Sequence, residues 1–315
     1  QGKGSVLATR NTEKSMAGSS GNISTEGHDR PSDRWWDSRP ILFSILLVVA
    51  VLIAFGQIVT HEFVEYDDDI HIYRNPAFRP LTVGGVASFW QAPYEALYIP
   101  VEYTFFAAEV LVSPPVPVDA AGRSLVLHCT CVLLVFALLK RFIANDLAAC
   151  FGSLLFALHP LQVESVAWIS ETRGLLSTAF GLAALWFYFR FGDALPNNQA
   201  AQRSASRSVA NYALATALFT LALLSKPSAV AVPLVAAVLD IGLLRRPWRI
   251  SVAALAPWFA LALVIILVSK DQQPGVATPE TTLVQRVLVS GDSLVFYGTK
   301  LLAPLNLAPI YDRPL

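Results

Sequence analysis

Three consecutive aspartates, Asp67, Asp68 and Asp69, follow the first long apolar stretch of the chain after only a few residues. Adjacent carboxylates repel one another, so a fold that holds them near a surface of low dielectric constant must offset that cost with cations, hydrogen bonds or a catalytic task. One of them can accept a proton from a hydroxyl group as a general base. Two other interpretations stay open: a solvated acidic turn, and a divalent-metal site that includes His61 and His71.

A second polar cluster extends from Leu158 to Arg173, between two apolar runs. Polar groups at membrane depth are tolerated only against protein or water. If this segment forms one helix, Glu164, Trp168 and Glu171 share a face at spacings of i, i+4 and i+7, and that face lines a cavity. The alternative is an interfacial helix with a tryptophan anchor and solvated glutamates.

Lys226 follows the apolar run that ends at Ser225 and is itself followed by Pro227. A cation at this position can bind the phosphate of a lipid-linked ligand. It can equally extend its ammonium group from the membrane edge into water. The sequence leaves both interpretations open.

The composition is that of a membrane protein: 54% of the residues are hydrophobic and 15% are charged, and the mean hydropathy is +0.51. A soluble domain of this length carries more charge. The formal net charge is zero, so there is no overall field to attract nucleic acid. The three cysteines, Cys129, Cys131 and Cys150, lie in apolar runs and have neither a disulfide framework nor zinc spacing.

Apolar runs predict an all-α integral membrane protein, a multi-pass helical bundle. The first run, from Ile41 to Thr60, contains no charge, and a helix of about 20 residues crosses a hydrocarbon core of roughly 30 Å. Further runs lie at about 124–140, 147–159, 174–189, 209–224, 228–244 and 251–269, with a weaker one at 283–303. We therefore expect about seven or eight spans; the weaker run, which contains Gln285, Arg286, Asp292 and Lys300, should line a cavity or lie at the interface.

The distribution of lysine and arginine predicts the orientation of these spans, because short loops rich in them face the cytoplasm. The polar tail, residues 1–40, and alternate loops carry most of the cations, whereas the loop 61–123 is strongly acidic. We expect a cytoplasmic tail that is disordered alone and needs a protein partner to order it. The long first extracytoplasmic loop should contain surface helices, with one of them at 101–116.

Five motifs in order resemble the signatures of one membrane family: FVEYDDDIHIYRNP, ALYIPVEYTFFAAE, LLFALHPLQVESVAWISETRGLLS, LLSKPSAV and LLAPLNLAPIYDRP. That family comprises the bacterial relatives of the transmembrane and tetratricopeptide-repeat O-mannosyltransferases, within the GT-C superfamily of glycosyltransferases. The resemblance covers about residues 55–315. It implies a GT-C-type transmembrane domain over residues 41–315, in the bacterial inner membrane.

The resemblance implies an inverting glycosyltransferase that moves a mannose-like sugar from a polyprenyl phosphate to a hydroxyl of a protein or glycan acceptor on the extracytoplasmic face. The paired aspartates of the family fall on Asp67 and Asp68; we expect Asp67 to be the base and Asp68 to position the acceptor or sugar, or the reverse. The residues that would line the donor and acceptor cavity are His159, Glu164, Glu171, Arg173 and Lys226. Arg173 and Lys226 are the natural phosphate partners, because the leaving phosphate gains charge. The resemblance assigns no metal ligand and no resident cofactor, and the divalent-metal requirement stays open.

Several features depart from the family pattern. Residues 98–102 read Tyr-Ile-Pro-Val-Glu where a common version reads Trp-His-Pro-Leu-Thr, Gln162 stands where another version has His, and Gly174 stands where it has Asp. The family continues into further spans and repeats, so residues 1–315 are expected to be a fragment or a chain without repeats. The alternative function is a non-catalytic membrane subunit of the same scaffold that binds a partner complex or a lipid. A transporter is a weaker third option, since no inverted repeat stands out.

Overall fold

The computed structural model describes residues 39–63, 66–112, 117–193, 201–272, 282–308 and 311. These residues form helices and connecting turns, with isolated bridges but no β-strand among them. The prediction of an all-α chain is confirmed for this part of the protein. Of the predicted tail 1–40, residues 1–38 lie outside the described residues, so the expected disorder and partner stay predictions, whereas Arg39 and Pro40 belong to the first helix.

The α-helices of the described chain are α1 (Arg39–Phe55), α2 (Val83–Gln91), α3 (Pro100–Val112), α4 (Pro117–Phe142), α5 (Asp146–Ala157), α6 (Gln162–Ala167), α7 (Thr172–Asp193), α8 (Ala201–Ser225), α9 (Val232–Val238), α10 (Trp248–Gln272) and α11 (Leu283–Leu302). Short 3₁₀ segments extend or join them at Gly56–Thr60, Ile169–Glu171 and Pro227–Ala231, and π-helical turns occur at Asp69–Tyr73 and Leu239–Leu243.

Five helical stretches of the described chain are long and apolar enough to cross a membrane: Arg39–Thr60, Ala120–Phe142, Ile169–Gly192, Ser206–Ser225 and Trp248–Gln272. Two shorter apolar stretches, Asp146–Ala157 and Pro227–Leu243, occupy the other predicted runs. α11 occupies the weaker run, but it is not among the five and none of its residues is buried. The helices therefore lie where hydropathy predicted them.

Contacts between the helices fix which of their ends lie together. Ring contacts near both ends of α1 show that it packs antiparallel to α4. Hydrogen bonds between α4 and α7 show that these two helices run parallel. Those between α7 and the α8 region show that α8 runs antiparallel to α7. Hydrogen bonds between α8 and α10 show that α10 runs parallel to α8. One end of the spans, which we call the site end, contains Thr60, Ala120, Ile169 and Ser225. The opposite end contains Phe142, Gly192, Ser206 and Trp248.

Apolar side chains fill the space between the spans and also cover their outward faces. Trp258, Tyr188 and Phe219 are fully buried in the core. In contrast, Ile41 and Ile53 on the outward face of α1 are 64% and 81% exposed. Apolar faces of this extent are unfavourable in water and suit contact with lipid tails.

The first loop has a small core of its own at the site end. Phe89 of α2 stacks on Tyr103 of α3 with ring centroids 4.3 Å apart. α3 matches the helix predicted at 101–116 as far as residue 112, and residues 113–116 lie outside the described part. It buries Glu102 and Phe106 as well as Tyr103, so one side of this helix packs against protein.

Candidate functional site

Asp68 attaches the acidic turn to the segment that precedes α7. Its Oδ1 accepts hydrogen bonds from the backbone N–H of Ser170 at 2.9 Å and from the Ser170 hydroxyl at 2.5 Å. Asp68 is fully buried. Hydrogen bonds to an ionised acceptor are the strong ones, so this pair fixes the position of the turn.

Asp67 and Asp69 lie on either side of that contact and have different surroundings. Asp67 Oδ2 is 3.9 Å from Arg173 Nη2, and the Asp67 side chain is 28% exposed. Asp69 Oδ2 is 3.1 Å from Arg74 Nη1. Arg74 is well exposed, and surface pairs of this kind contribute about 0–1 kcal/mol. Asp67 is therefore the aspartate of the triplet that is both accessible and close to a largely buried cation.

Glu171 bridges the two cations of the site. Its Oε1 accepts hydrogen bonds from Arg173 Nε and Nη2 at 3.1 and 2.9 Å, and its Oε2 accepts one from Lys226 Nζ at 2.6 Å. The Glu171 side chain is almost fully buried, whereas a third of the Lys226 side chain is exposed. The contact joins the start of α7 to the residue after α8, 55 positions later in the chain.

Two backbone features make room for this bridge. Lys226 is extended, with φ −153° and ψ 125°, as expected for a residue before proline, and Pro227 ends α8. A Cβ at Gly174 would lie 3.1 Å from Glu171 Oε2 and 3.6 Å from Lys226 Nζ. The absence of a side chain at Gly174 therefore lets the ion pair lie close against α7.

Glu102 is a buried carboxyl group that the sequence analysis did not assign to the site. Its Oε1 accepts a hydrogen bond from the backbone N–H of Arg173 at 3.0 Å, and the residue is 1% exposed. Burial raises the pKa of Glu102 to about 8, against the opposing effect of Arg173. Near neutral pH the carboxyl of Glu102 is therefore largely protonated, and it adds no negative charge beside Arg173.

His71 lies beneath the acidic turn and is buried. Its Nδ1 is 2.9 Å from the Tyr103 hydroxyl. Burial lowers the pKa of His71, and Asp67 acts in the opposite direction, so the ring is held largely neutral. His61, the other histidine of the open metal interpretation, is exposed. Among the described residues no group of three His, Cys, Asp or Glu side chains is arranged to hold a metal ion.

Two of the residues expected to line the cavity lie outside this cluster. His159 Nε2 is 2.9 Å from the carbonyl of Leu301 at the end of α11, and its Nδ1 accepts from the N–H of Leu161. Glu164 is exposed on α6. Within the described part of the chain, neither contacts Glu171 or Lys226.

The expected common face of Glu164, Trp168 and Glu171 does not form. α6 ends at Ala167, and Trp168 is extended, with φ −95° and ψ 116°. A 3₁₀ turn, Ile169–Glu171, then leads into α7. The physical reason is the Asp68 contact, because the break at Trp168 turns the N–H and hydroxyl of Ser170 towards the carboxylate.

The structure thus brings together Asp67, Asp68, Glu171, Arg173 and Lys226, which the sequence had singled out, and adds Ser170 and Glu102. Of these two residues, only Glu102 could have been suspected from the sequence, because it is a carboxylate inside an apolar segment. Ser170, between Ile169 and Glu171, has no feature in the sequence that would single it out.

Comparisons of the chain with protein-family models, with curated proteins and with solved structures found no match.

The arrangement combines an accessible carboxylate with two cations at the edge of the apolar region. Glu171 and Arg173 belong to the first turns of the candidate span Ile169–Gly192, and Lys226 follows the candidate span that ends at Ser225. A helix that spans a bilayer ends near the lipid phosphate groups, which is where these candidate spans would place the cluster. Such a site can bind an anionic headgroup through its cations and take a proton from a hydroxyl through Asp67.

Proposed function

We propose that this protein transfers a sugar from a polyprenyl phosphate to a hydroxyl of a protein or glycan acceptor, with inversion at the anomeric carbon. The observation that carries the proposal is the position of Asp67, 3.9 Å from Arg173 and accessible, in a charged cluster at the end of the spans. A lipid-linked donor needs this depth, because its prenyl chain stays in the hydrocarbon region while its phosphate reaches the headgroup level.

In the proposed reaction the acceptor oxygen attacks the anomeric carbon as its hydroxyl proton passes to Asp67. The bond between that carbon and the phosphate oxygen breaks, and its electron pair leaves with the polyprenyl phosphate. Arg173 and Lys226 stabilise the additional negative charge on the phosphate. Arg173 and Lys226 both contact Glu171. When the phosphate binds, it replaces Glu171 as a partner in some of these contacts.

The three aspartates then have different roles in the proposal. Asp68, buried on Ser170, holds the turn in place, so that Asp67 next to it keeps one orientation. This division supports Asp67 rather than Asp68 as the base. Asp69 pairs with Arg74 at the surface and takes no part.

The membrane arrangement completes the proposal. Counting the two shorter apolar stretches as passes, we infer seven crossings in a GT-C-type bundle, with α11, whose Leu301 contacts His159 on the site side, as an interfacial helix. The cations of alternate loops support a cytoplasmic tail and an extracytoplasmic site end in a bacterial inner membrane. The five motifs that resemble signatures of the O-mannosyltransferase family support a mannose-like sugar.

The decisive experiment incubates the detergent-purified full chain with a panel of labelled polyprenyl-phosphate sugars, mannose among them, and a mixed pool of peptide and glycan acceptors. We expect wild-type protein to transfer at least one sugar. Asp67→Asn should lower the rate by about 10² to 10⁴-fold, the usual contribution of a general base, whereas Asp69→Asn should retain it.

Equal rates for wild type and Asp67→Asn would overturn the assignment of the base. If the wild-type chain transfers no sugar of the panel but still retains polyprenyl phosphate, the non-catalytic subunit becomes the better account. Circular dichroism and thermal unfolding of each variant ensure that the comparison is between folded proteins.

A further inference from the structure

A group of arginines surrounds the carboxyl end of α7, at the opposite end of the spans from the proposed site. α7 itself contributes Arg190, α4 contributes Arg141, and α8 contributes Arg207. The turn before α10 contributes Arg245 and Arg246. Along α7 this group lies roughly 25 Å from Arg173, so it is separate from the site described above.

Contacts place parts of α4, α8 and the turn before α10 against the last turns of α7. Arg141 Nη2 donates to the carbonyl of Phe189 at 3.2 Å. The guanidinium of Arg246 lies against Gly192, where an added Cβ would overlap it. At the start of α8, Ser208 donates to a carbonyl of the same turns at 3.3 Å, which places its neighbour Arg207 there too. Cations at this end also suit the negative end of the helix dipole.

One arginine of the group is neutralised inside the protein. Arg246 Nη1 is 3.0 Å from Asp240 Oδ1, and Asp240 also accepts a hydrogen bond from the Tyr188 hydroxyl at 2.6 Å. By contrast, Arg190, Arg207 and Arg245 are exposed, and no acidic side chain of the described residues pairs with any of them. Around the end of α7 these three arginines are therefore exposed cations without an acidic partner among the described side chains.

The depth of this surface indicates what it contacts. Gly192, Ser206 and Trp248 are the ends of three candidate spans, so the arginines lie at the edge of the apolar region. Trp248 is 60% exposed, and the guanidinium of Arg249 lies 5.5 Å from the centre of its ring. Exposed tryptophan at the end of a span is typical of the headgroup layer.

We propose that the exposed arginines Arg190, Arg207 and Arg245 bind the phosphate of an anionic phospholipid at the carboxyl end of α7. The Arg246–Asp240 pair lies beneath this surface. The three exposed arginines attract the phosphate of the lipid. Guanidinium groups suit phosphate because they present several donors in one plane. This inference does not depend on the proposed glycosyl transfer, since none of these residues belongs to the proposed site.

Native mass spectrometry of the detergent-purified full chain tests it. The protein is mixed with equimolar phosphatidylglycerol and phosphatidylcholine of the same acyl chains, and the bound lipids are counted. We expect wild type to retain phosphatidylglycerol in preference to phosphatidylcholine. One cation near an anionic headgroup is worth about fivefold in binding, so Arg190→Gln/Arg245→Gln should weaken phosphatidylglycerol binding about 25-fold.

The matched control is Arg79→Gln/Lys270→Gln, which removes two exposed cations from the site end and should leave the preference unchanged. Equal retention of both lipids by wild type would overturn the proposal. An equal loss of phosphatidylglycerol in the two double variants would also overturn it, because the attraction would then follow net charge and not this surface. All four substitutions replace exposed side chains, so folding is expected to be unaffected.

Discussion

Asp68 and Ser170 are joined by two hydrogen bonds to a single carboxylate oxygen, although 102 residues separate them in the chain. The contact ties the first loop to the segment that leads into α7. It also explains why the helix breaks at Trp168, since a continuous helix would satisfy the Ser170 N–H internally. The proposed base, Asp67, directly precedes Asp68 in the chain. The position of Asp67 therefore depends on the contact between Asp68 and Ser170.

Replacing Ser170 by alanine tests that dependence. Ser170→Ala removes the hydroxyl donor and leaves the backbone N–H, so Asp68 stays buried with one bond fewer to Ser170. We expect the free energy of unfolding to fall by about 1–3 kcal/mol, the usual effect of removing one partner of a buried hydrogen bond. Thermal unfolding in detergent measures it.

The matched control for that variant is Ser290→Ala. The Ser290 hydroxyl donates to a backbone carbonyl at 2.8 Å on the exposed α11, and its loss should change the free energy by no more than about 0.5 kcal/mol. Equal effects of the two substitutions would show that the Asp68 contact does not stabilise the loop.

The bridge formed by Glu171 predicts an order of stabilities. Glu171→Gln leaves two cations without their common anion, whereas Lys226→Met leaves Glu171 with Arg173. Breaking a buried pair costs about 3–5 kcal/mol, and the partial exposure of Lys226 reduces that figure. We therefore expect Glu171→Gln to lower the melting temperature more than Lys226→Met does; the reverse order would contradict the bridging role.

Glu102 predicts a pH dependence of stability whose sign follows from its burial. Its pKa is raised from 4.5 to about 8 in the folded protein. Between pH 4.5 and about 8, the folded protein therefore keeps a proton on Glu102 that the unfolded protein has released. The stabilisation is fully present below pH 4.5 and is lost as the pH rises through about 8, with a slope of up to about 1.4 kcal/mol per pH unit.

The variant Glu102→Gln isolates this effect from other titrating groups such as His71. Glutamine keeps an oxygen that can accept the Arg173 N–H but has no proton to lose. Unfolding of both proteins from pH 5 to 9 should show the difference between wild type and variant shifting in favour of the variant as the pH rises. A constant difference across that range would contradict protonation of Glu102 in the fold.

Gly192 and Gly298 predict two different effects of alanine in a helix. Alanine normally stabilises a helix relative to glycine by about 1 kcal/mol, but a Cβ at position 192 would overlap the Arg246 guanidinium, which must move to make room. We expect Gly192→Ala to stabilise the protein by less than this amount. Gly298→Ala in α11, where an added Cβ meets nothing within 4 Å, should give the full gain. Thermal unfolding of both variants measures the difference, and equal gains would contradict the placement of Arg246.

Hydropathy predicted where the helices lie because apolar runs long enough to span a bilayer have few other stable conformations. It did not predict the break at Trp168, which depends on a carboxylate in a distant loop. The cluster of Asp67, Glu171, Arg173 and Lys226 was expected from the motifs, and the structure shows these side chains in contact. The place of Glu102 in the site could not be predicted either, because its backbone partner lies 71 residues away. Pairings of this kind cannot be read from local periodicity.

Arg173 stands at the first turn of α7 and Gly192 near its last, so a single rigid helix connects the two charged clusters. A displacement of α7 along its axis would move Arg173 and Gly192 together, so the two charged clusters share one scaffold.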